Sequence, residues 1–127
     1  MSLNTWRKEF YKIGANRVEN LKDALKHSIR KWTGLLPENM SKHNITRGKD
    51  KIWHTPYIND NNLSMDIDSI SCALCNLCPD CQDCPIYIVT NKTCDETDSP
   101  YMKYLHGSDA RAMLALLKKV QKEWKKD

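Results

Sequence analysis

The sequence predicts one small α+β domain, in which two main helices pack on an irregular β segment stapled by a metal ion. Three features of the chain point that way. Apolar residues recur at helical intervals over about residues 17–33 and 109–125, which marks two amphipathic helices. Leu63, Met65 and Ile67 alternate with Ser64, Asp66 and Asp68, the period of a half-buried strand. All six cysteines fall between Cys72 and Cys94, a density that asks for a metal or a set of disulfides. With 127 residues the chain suits a single modest core, divided into a basic helical part (1–55), a cysteine-rich segment (63–94) and a C-terminal helical part (99–127).

Trp6, Phe10 and Ile13 share one helical face before Gly14 interrupts it, so a short helix or turn is expected there. Asn16 stands where a side-chain oxygen can cap, Glu19 suits the first turn, and Val18, Leu21, Leu25, Ile29 and Trp32 form an apolar stripe ended by Gly34. Pro37 and Glu38 open a shorter helical turn that ends before Asn44. Residues 44–62 read as a long loop. Within it Ile52–Ile58 has strand-like composition, restricted by Pro56 to an edge or a bulge. Pro79, Pro85 and the closely spaced thiols argue against helix over 76–85, and the β-branched run Ile86–Thr90 predicts a strand. Ser99-Pro100 starts a helical turn closed by Gly107, and Ser108-Asp109 opens the last helix, whose apolar face is Ala110, Met113, Leu117, Val120 and Trp124.

Charge is segregated. The net charge of +4 resolves into +7 over residues 1–55, −7 over 56–109 and +4 over 110–127. Basic ends flank an acidic middle, and the basic head and the C-terminal lysines suit a nucleic-acid surface. A mean hydropathy of −0.68 and the absence of any apolar run near the ~20 residues of a bilayer span exclude a membrane protein of the helical kind. The start of the chain lacks a secretory apolar stretch, so a reducing cytoplasm is expected, where thiolates bind metal more often than they pair.

Cys72, Cys75, Cys78, Cys81 and Cys84 recur at every third residue. On a regular helix they would spread around the circumference, so one site needs an irregular backbone. A two-residue gap lets a tight turn aim two thiolates at one ion, and Cys72/Cys75 with Cys81/Cys84 supply four for tetrahedral Zn²⁺. Only five residues separate Cys75 from Cys81, which leaves Cys94 as an alternative fourth ligand beside Cys72, Cys75 and Cys84. Four thiolates on one Zn²⁺ would deepen the negative charge of the middle segment. An iron–sulfur cluster is the competing reading: Cys75, Cys78, Cys81 and Cys84-Pro85 miss the ferredoxin spacing by one residue. An architectural ion is favoured over a catalytic one, because no His or carboxylate is spaced to leave an open coordination position.

Outside the cysteines the chain offers no phosphate loop, no nucleophile elbow and no paired acids, and it is expected not to be an enzyme. His27 reads as a partly buried hydrogen-bonding residue, His43 and His54 as loop residues, and His106 as a helix-terminal cation. Trp6 and Trp32 fall on apolar stripes and are assigned to the core. Arg30, Lys31, Trp53, Tyr57, Lys118 and Lys122 are the candidate contact residues for a partner.

Ala24-Leu25-Lys26-His27-Ser28-Ile29-Arg30-Lys31-Trp32, Gly34-Leu35, Pro37-Glu38-Asn39, Cys72-Ala73-Leu74-Cys75, Cys81-Gln82-Asp83-Cys84-Pro85, Cys94 and Ser99-Pro100-Tyr101 resemble a family of small, mostly uncharacterised tailed-phage and prophage proteins. In that family the shared cysteines match Cys72, Cys75, Cys81, Cys84 and Cys94, with a longer insert between the pairs; Cys78 and the short gap depart from the pattern. The resemblance implies a phage accessory protein acting in the host cytoplasm on a host protein, such as a defence or replication factor, or on a nucleic acid. It implies no activity.

Overall fold

Leu3, Trp6 and Phe10 share one face of a helix, α1 (Leu3–Phe10), and all three are buried. They belong to a computed structural model that describes residues 3–49, 56–60, 63–67, 72–78, 80–92, 99–107 and 110–124. Ile13, expected to continue the α1 face, lies beyond the helix and is 53% exposed. Trp6 is fully buried without leaving its indole unsatisfied, since Nε1–H donates to the Gly34 carbonyl at 2.8 Å. After a 3-10 turn at Ala15–Arg17, α2 runs from Leu21 to Gly34. Its cap is Asn20 and not Asn16. The Asn20 side-chain oxygen accepts from the Asp23 amide at 2.9 Å while its NH₂ donates to the Asp23 carboxylate at 3.0 Å, a reciprocal pair that Asn16, within the 3-10 turn, does not make.

Pro37 occupies the first turn of α3 (Pro37–Lys42), as expected. His43, expected in a polar loop, is instead buried at its end. Its Nε2–H donates to Glu9 Oε1 at 2.7 Å and Nδ1 meets the Thr5 hydroxyl at 2.9 Å, so one imidazole ties α3 to α1. The His43 hydrogen bond, helped by Lys42 at 3.2 Å, holds the Glu9 carboxyl below its ordinary range.

Three antiparallel strands follow in the order β1 (Thr46–Lys49), β2 (Pro56–Asn59) and β3 (Ser64–Asp66). The predicted 44–62 loop therefore contains two strands. Pro56 is neither at an edge nor in a bulge: it is the first residue of the central strand, opposite Lys49, where a missing N–H interrupts the ladder least. Ile58 and Ile67 are fully buried, and Met65 is half-buried.

The sheet ends before the cysteines, which corrects the expectation of a β segment there. Described residues of the cysteine-rich stretch form α4 (Ala73–Leu77), a 3-10 turn (Cys81–Asp83) and α5 (Pro85–Thr90). Ile86–Thr90 is thus helical, not extended. Pro85 presets the first helical φ, Cys84 is extended at the cap, and Asn91 takes the left-handed conformation (φ 60°) that ends the helix. Against α7 this run buries Ile86 and half-buries Val89, three residues apart, and that tertiary gain overrides β propensity. The absence of helix expected over 76–85 holds only in part, since α4 reaches Leu77, two residues before Pro79.

α6 (Pro100–Gly107) begins with the Ser99 hydroxyl accepting from the Met102 amide, and α7 (Ala110–Glu123) buries Ala110, Met113, Leu114, Leu117 and Val120. The core lies where α2 meets α1, α4 and α7, with α5 and α6 also packed on α7. Trp32 is held edge-to-face by Tyr104 at 4.7 Å and Tyr101 at 6.3 Å. Arg47 of β1 stacks on Tyr104 and donates to its carbonyl, joining the sheet to α6. Among the described residues no helix is long and apolar enough to cross a membrane.

A Cβ on Gly34 would fall 2.5 Å from the Phe10 ring, so α1 and α2 approach as closely as glycine permits. Gly34→Ala would gain about 1 kcal/mol of helix propensity and incur an overpacking cost of about 1–3 kcal/mol. With the ring held by the buried face of α1, the expected result is a net loss of up to ~2 kcal/mol in denaturant unfolding. A raised midpoint would contradict the close approach.

Candidate metal centre

Cys72 and Cys75 flank the first turn of α4, which packs against α2 through Ala73 and Leu74. Both apolar side chains are fully buried, and this fixes Cys72 against the helix while Cys75 faces solvent. From α2, Ser28 places its hydroxyl 4.0 Å from the Cys72 sulfur. One turn further on is Lys31, only 2% exposed, whose ammonium also lies 5.4 Å from the centre of the Trp32 ring.

These surroundings favour a thiolate. A hydrogen bond from the Cys75 thiol, then the positive charge of Lys31 and the amides of Cys75 and Leu74, hold Cys72 well below the usual thiol range against the opposing effect of burial. Cys84 has the opposite character. Burial pushes its thiol up to about 11, with smaller upward contributions from Cys78 and Cys72, which puts Cys84 within electrostatic reach of both. Cys78 is buried, and its S–H donates to the Asp83 carbonyl at 3.6 Å. His27, one turn before Lys31, donates from Nε2 to the Ile13 carbonyl at 2.6 Å and meets Tyr11 edge-on, and burial lowers its pKa. It is the partly buried, hydrogen-bonded histidine expected.

Of the predicted ligands, the fold brings Cys72 and Cys75 together and sets Cys84 near them. Among the described residues no three His, Cys, Asp or Glu side chains stand close enough to hold an ion. The Cys81 side chain and all of Cys94 lie outside those residues. Cys72, Cys75, Cys78 and Cys84 form no disulfide among the described residues. The pair nevertheless suits half of a four-thiolate site: soft donors two residues apart, one already favoured in its ionised form.

The candidate contact residues divide. Arg30 is exposed and donates to the Glu9 carbonyl, and Lys118 and Lys122 are exposed on α7. Tyr57 is half-buried with its ring over Gly48, and Trp53 lies outside the described residues. Lys31 is a correction: it lies inside, facing Cys72, and offers no contact surface. Sequence reasoning missed this role and that of Ser28. The available signal was a second stripe, Ala24, Ser28, Lys31 and Leu35, spaced i, i+4, i+7 and i+11 beside the apolar one; all four are buried.

No protein-family model, curated protein or solved structure matches the chain.

In chelator-treated protein, thiolate absorbance should show one group titrating well below 9, absent in Cys72→Ser and moved back towards 9 in Cys75→Ala, which removes the donor. Because the folded value is depressed, the stability this group contributes is full above 9.0 and is lost as pH falls through its folded pKa. Stability without that downward trend in the wild type, or a trend retained in Cys72→Ser, would contradict the assignment.

Proposed function

We propose that this chain is a non-catalytic, zinc-stapled accessory protein of the phage-encoded kind, which acts in the host cytoplasm by binding a host protein and inhibiting or redirecting it. The observation that carries the zinc part is the Cys72–Cys75 pair, wedged by α4 against a buried ammonium on α2. Cys84, with Cys81 or Cys94, would complete the donor set, and the ion would supply cross-linking between α4 and the chain beyond it. An architectural role is favoured because two cavities, of about 920 and 350 Å³, are lined by residues other than the cysteines. Zinc is favoured over an iron–sulfur cluster by Cys78, which the cluster spacing requires and whose thiol turns to the Asp83 carbonyl.

Zinc analysis of protein purified under reducing conditions is expected to give one equivalent per chain and a colourless solution. Cys72→Ser or Cys75→Ser should lose the ion and lower the melting temperature, as should chelation of the wild type, because binding energy at such a site is folding energy. Metal-free wild type with an unchanged melting temperature would overturn the staple.

Nucleic-acid binding is the second reading. It is supported by the exposed Arg111, Lys118, Lys119 and Lys122 along α7. Affinity for DNA or RNA that falls by orders of magnitude between low and high salt would favour it over a protein partner. Absence of binding at low salt would remove it.

A further inference from the structure

A groove of about 920 Å³ runs between the end of α1, the 3-10 turn and α2, with Gln121 of α7 at its border and no cysteine in its lining. Its floor is apolar. Ile13 is 53% exposed there, and Val18 and Ile29 are half-buried beside it, an aliphatic strip open to solvent although the domain has a core to bury it in. The strip is held open by structure: the His27 ring clasps the Ile13 carbonyl, and Arg30 reaches across to the carbonyl of Glu9.

The rim is charged unequally. Lys12, Arg17 and Lys26 are exposed and have no ion pair among the described residues. Of the three rim carboxylates, Glu9 is paired with His43 at 2.7 Å and Lys42 at 3.2 Å, while Asp23, hydrogen-bonded by the neutral Asn20 amide, and Glu19 keep their charge. Three cations thus face two uncompensated carboxylates around an aliphatic floor.

We propose that this groove is the docking surface for an acidic, amphipathic segment of a partner protein, with aliphatic side chains seated on Ile13, Val18 and Ile29 and carboxylates facing Lys12, Arg17 and Lys26. The proposal rests on the protein-binding reading above and names the chemistry of the partner. A nucleic acid fits less well. The groove lining presents aliphatic side chains and no exposed aromatic ring on which a base could stack, and its carboxylates oppose a phosphate backbone. Aliphatic anchors ringed by complementary charge are what a helix-in-groove partner uses.

The test uses the full chain and short labelled peptides. One alternates leucine and glutamate faces; in the controls lysine replaces glutamate or serine replaces leucine, and single-stranded RNA is the competing probe. Anisotropy should detect binding of the leucine–glutamate peptide alone, with amide shifts in NMR spectra centred on residues 9–33 and extending at most to the neighbourhood of Gln121. Ile13→Ser and Lys26→Glu should each weaken it by about tenfold or more while zinc content and melting temperature stay those of the wild type. No binding at millimolar peptide, equal binding of the lysine or serine control, or RNA binding that Lys26→Glu abolishes would overturn the assignment. Binding that shifts only α7 resonances would also overturn it, yet leave the protein-binding reading intact. Zinc content measured on the same samples separates either failure from failure of the metal staple.

Discussion

A buried ammonium requires an anion, and in this fold Lys31 and Cys72 meet that requirement together. Removing a lysine from water costs several kcal/mol unless charge or dipoles replace the lost hydration, on the order of what a whole small domain has to spare. Lys31 finds the ring face of Trp32 on one side and the sulfur of Cys72 on another. The Cys72 thiol is in turn pulled well below its usual range by the Cys75 thiol and by Lys31. Neither residue is well placed without the other, so the docking of α4 on α2 carries an electrostatic condition as well as the apolar contact of Ala73 and Leu74.

This makes α2 the helix with two occupations. Its stripe of Ala24, Ser28, Lys31 and Leu35 is buried and reaches the cysteine segment, while Lys26, Ile29 and Arg30 line the groove shared with α1. His27 stands between the two, within the electrostatic reach of Lys31 and Cys72 and bonded to the groove's Ile13 carbonyl. The same rigid element therefore positions the proposed ion site and the proposed contact surface, and the separation of the two keeps the sulfur chemistry away from the partner.

The helical part of the fold was legible where periodicity was sustained. The stripes through Leu25 and Trp32 and through Met113, Leu117 and Val120 are long enough for the 3.6-residue period to stand out, and Pro37 and Pro100 mark helix starts. Short elements were not. Ile86–Thr90 is a single turn and a half, in which β-branched composition speaks louder than periodicity, and only the partner surface of α7 decides its state. Thr46–Lys49 contains Gly48 and two cations and has no strand signature of its own; its pairing with β2 supplies what its composition lacks. At the site, the cysteine spacing advertised a clamp. It could not reveal that a lysine on a distant helix would be turned inward, because a polar residue beside an apolar stripe reads as surface until its neighbours are known.

The contact between α2 and α7 has a cost in chain topology. About 75 residues lie between these two helices, and bringing their ends together from an open chain forfeits loop entropy that grows with the logarithm of that length. α4, seated on α2 from roughly the middle of that span, divides the one long closure into two shorter ones. With α4 in place on α2, the closure still to be made between α4 and α7 spans less than half of the residues that separate α2 from α7, so its entropic cost is the smaller one.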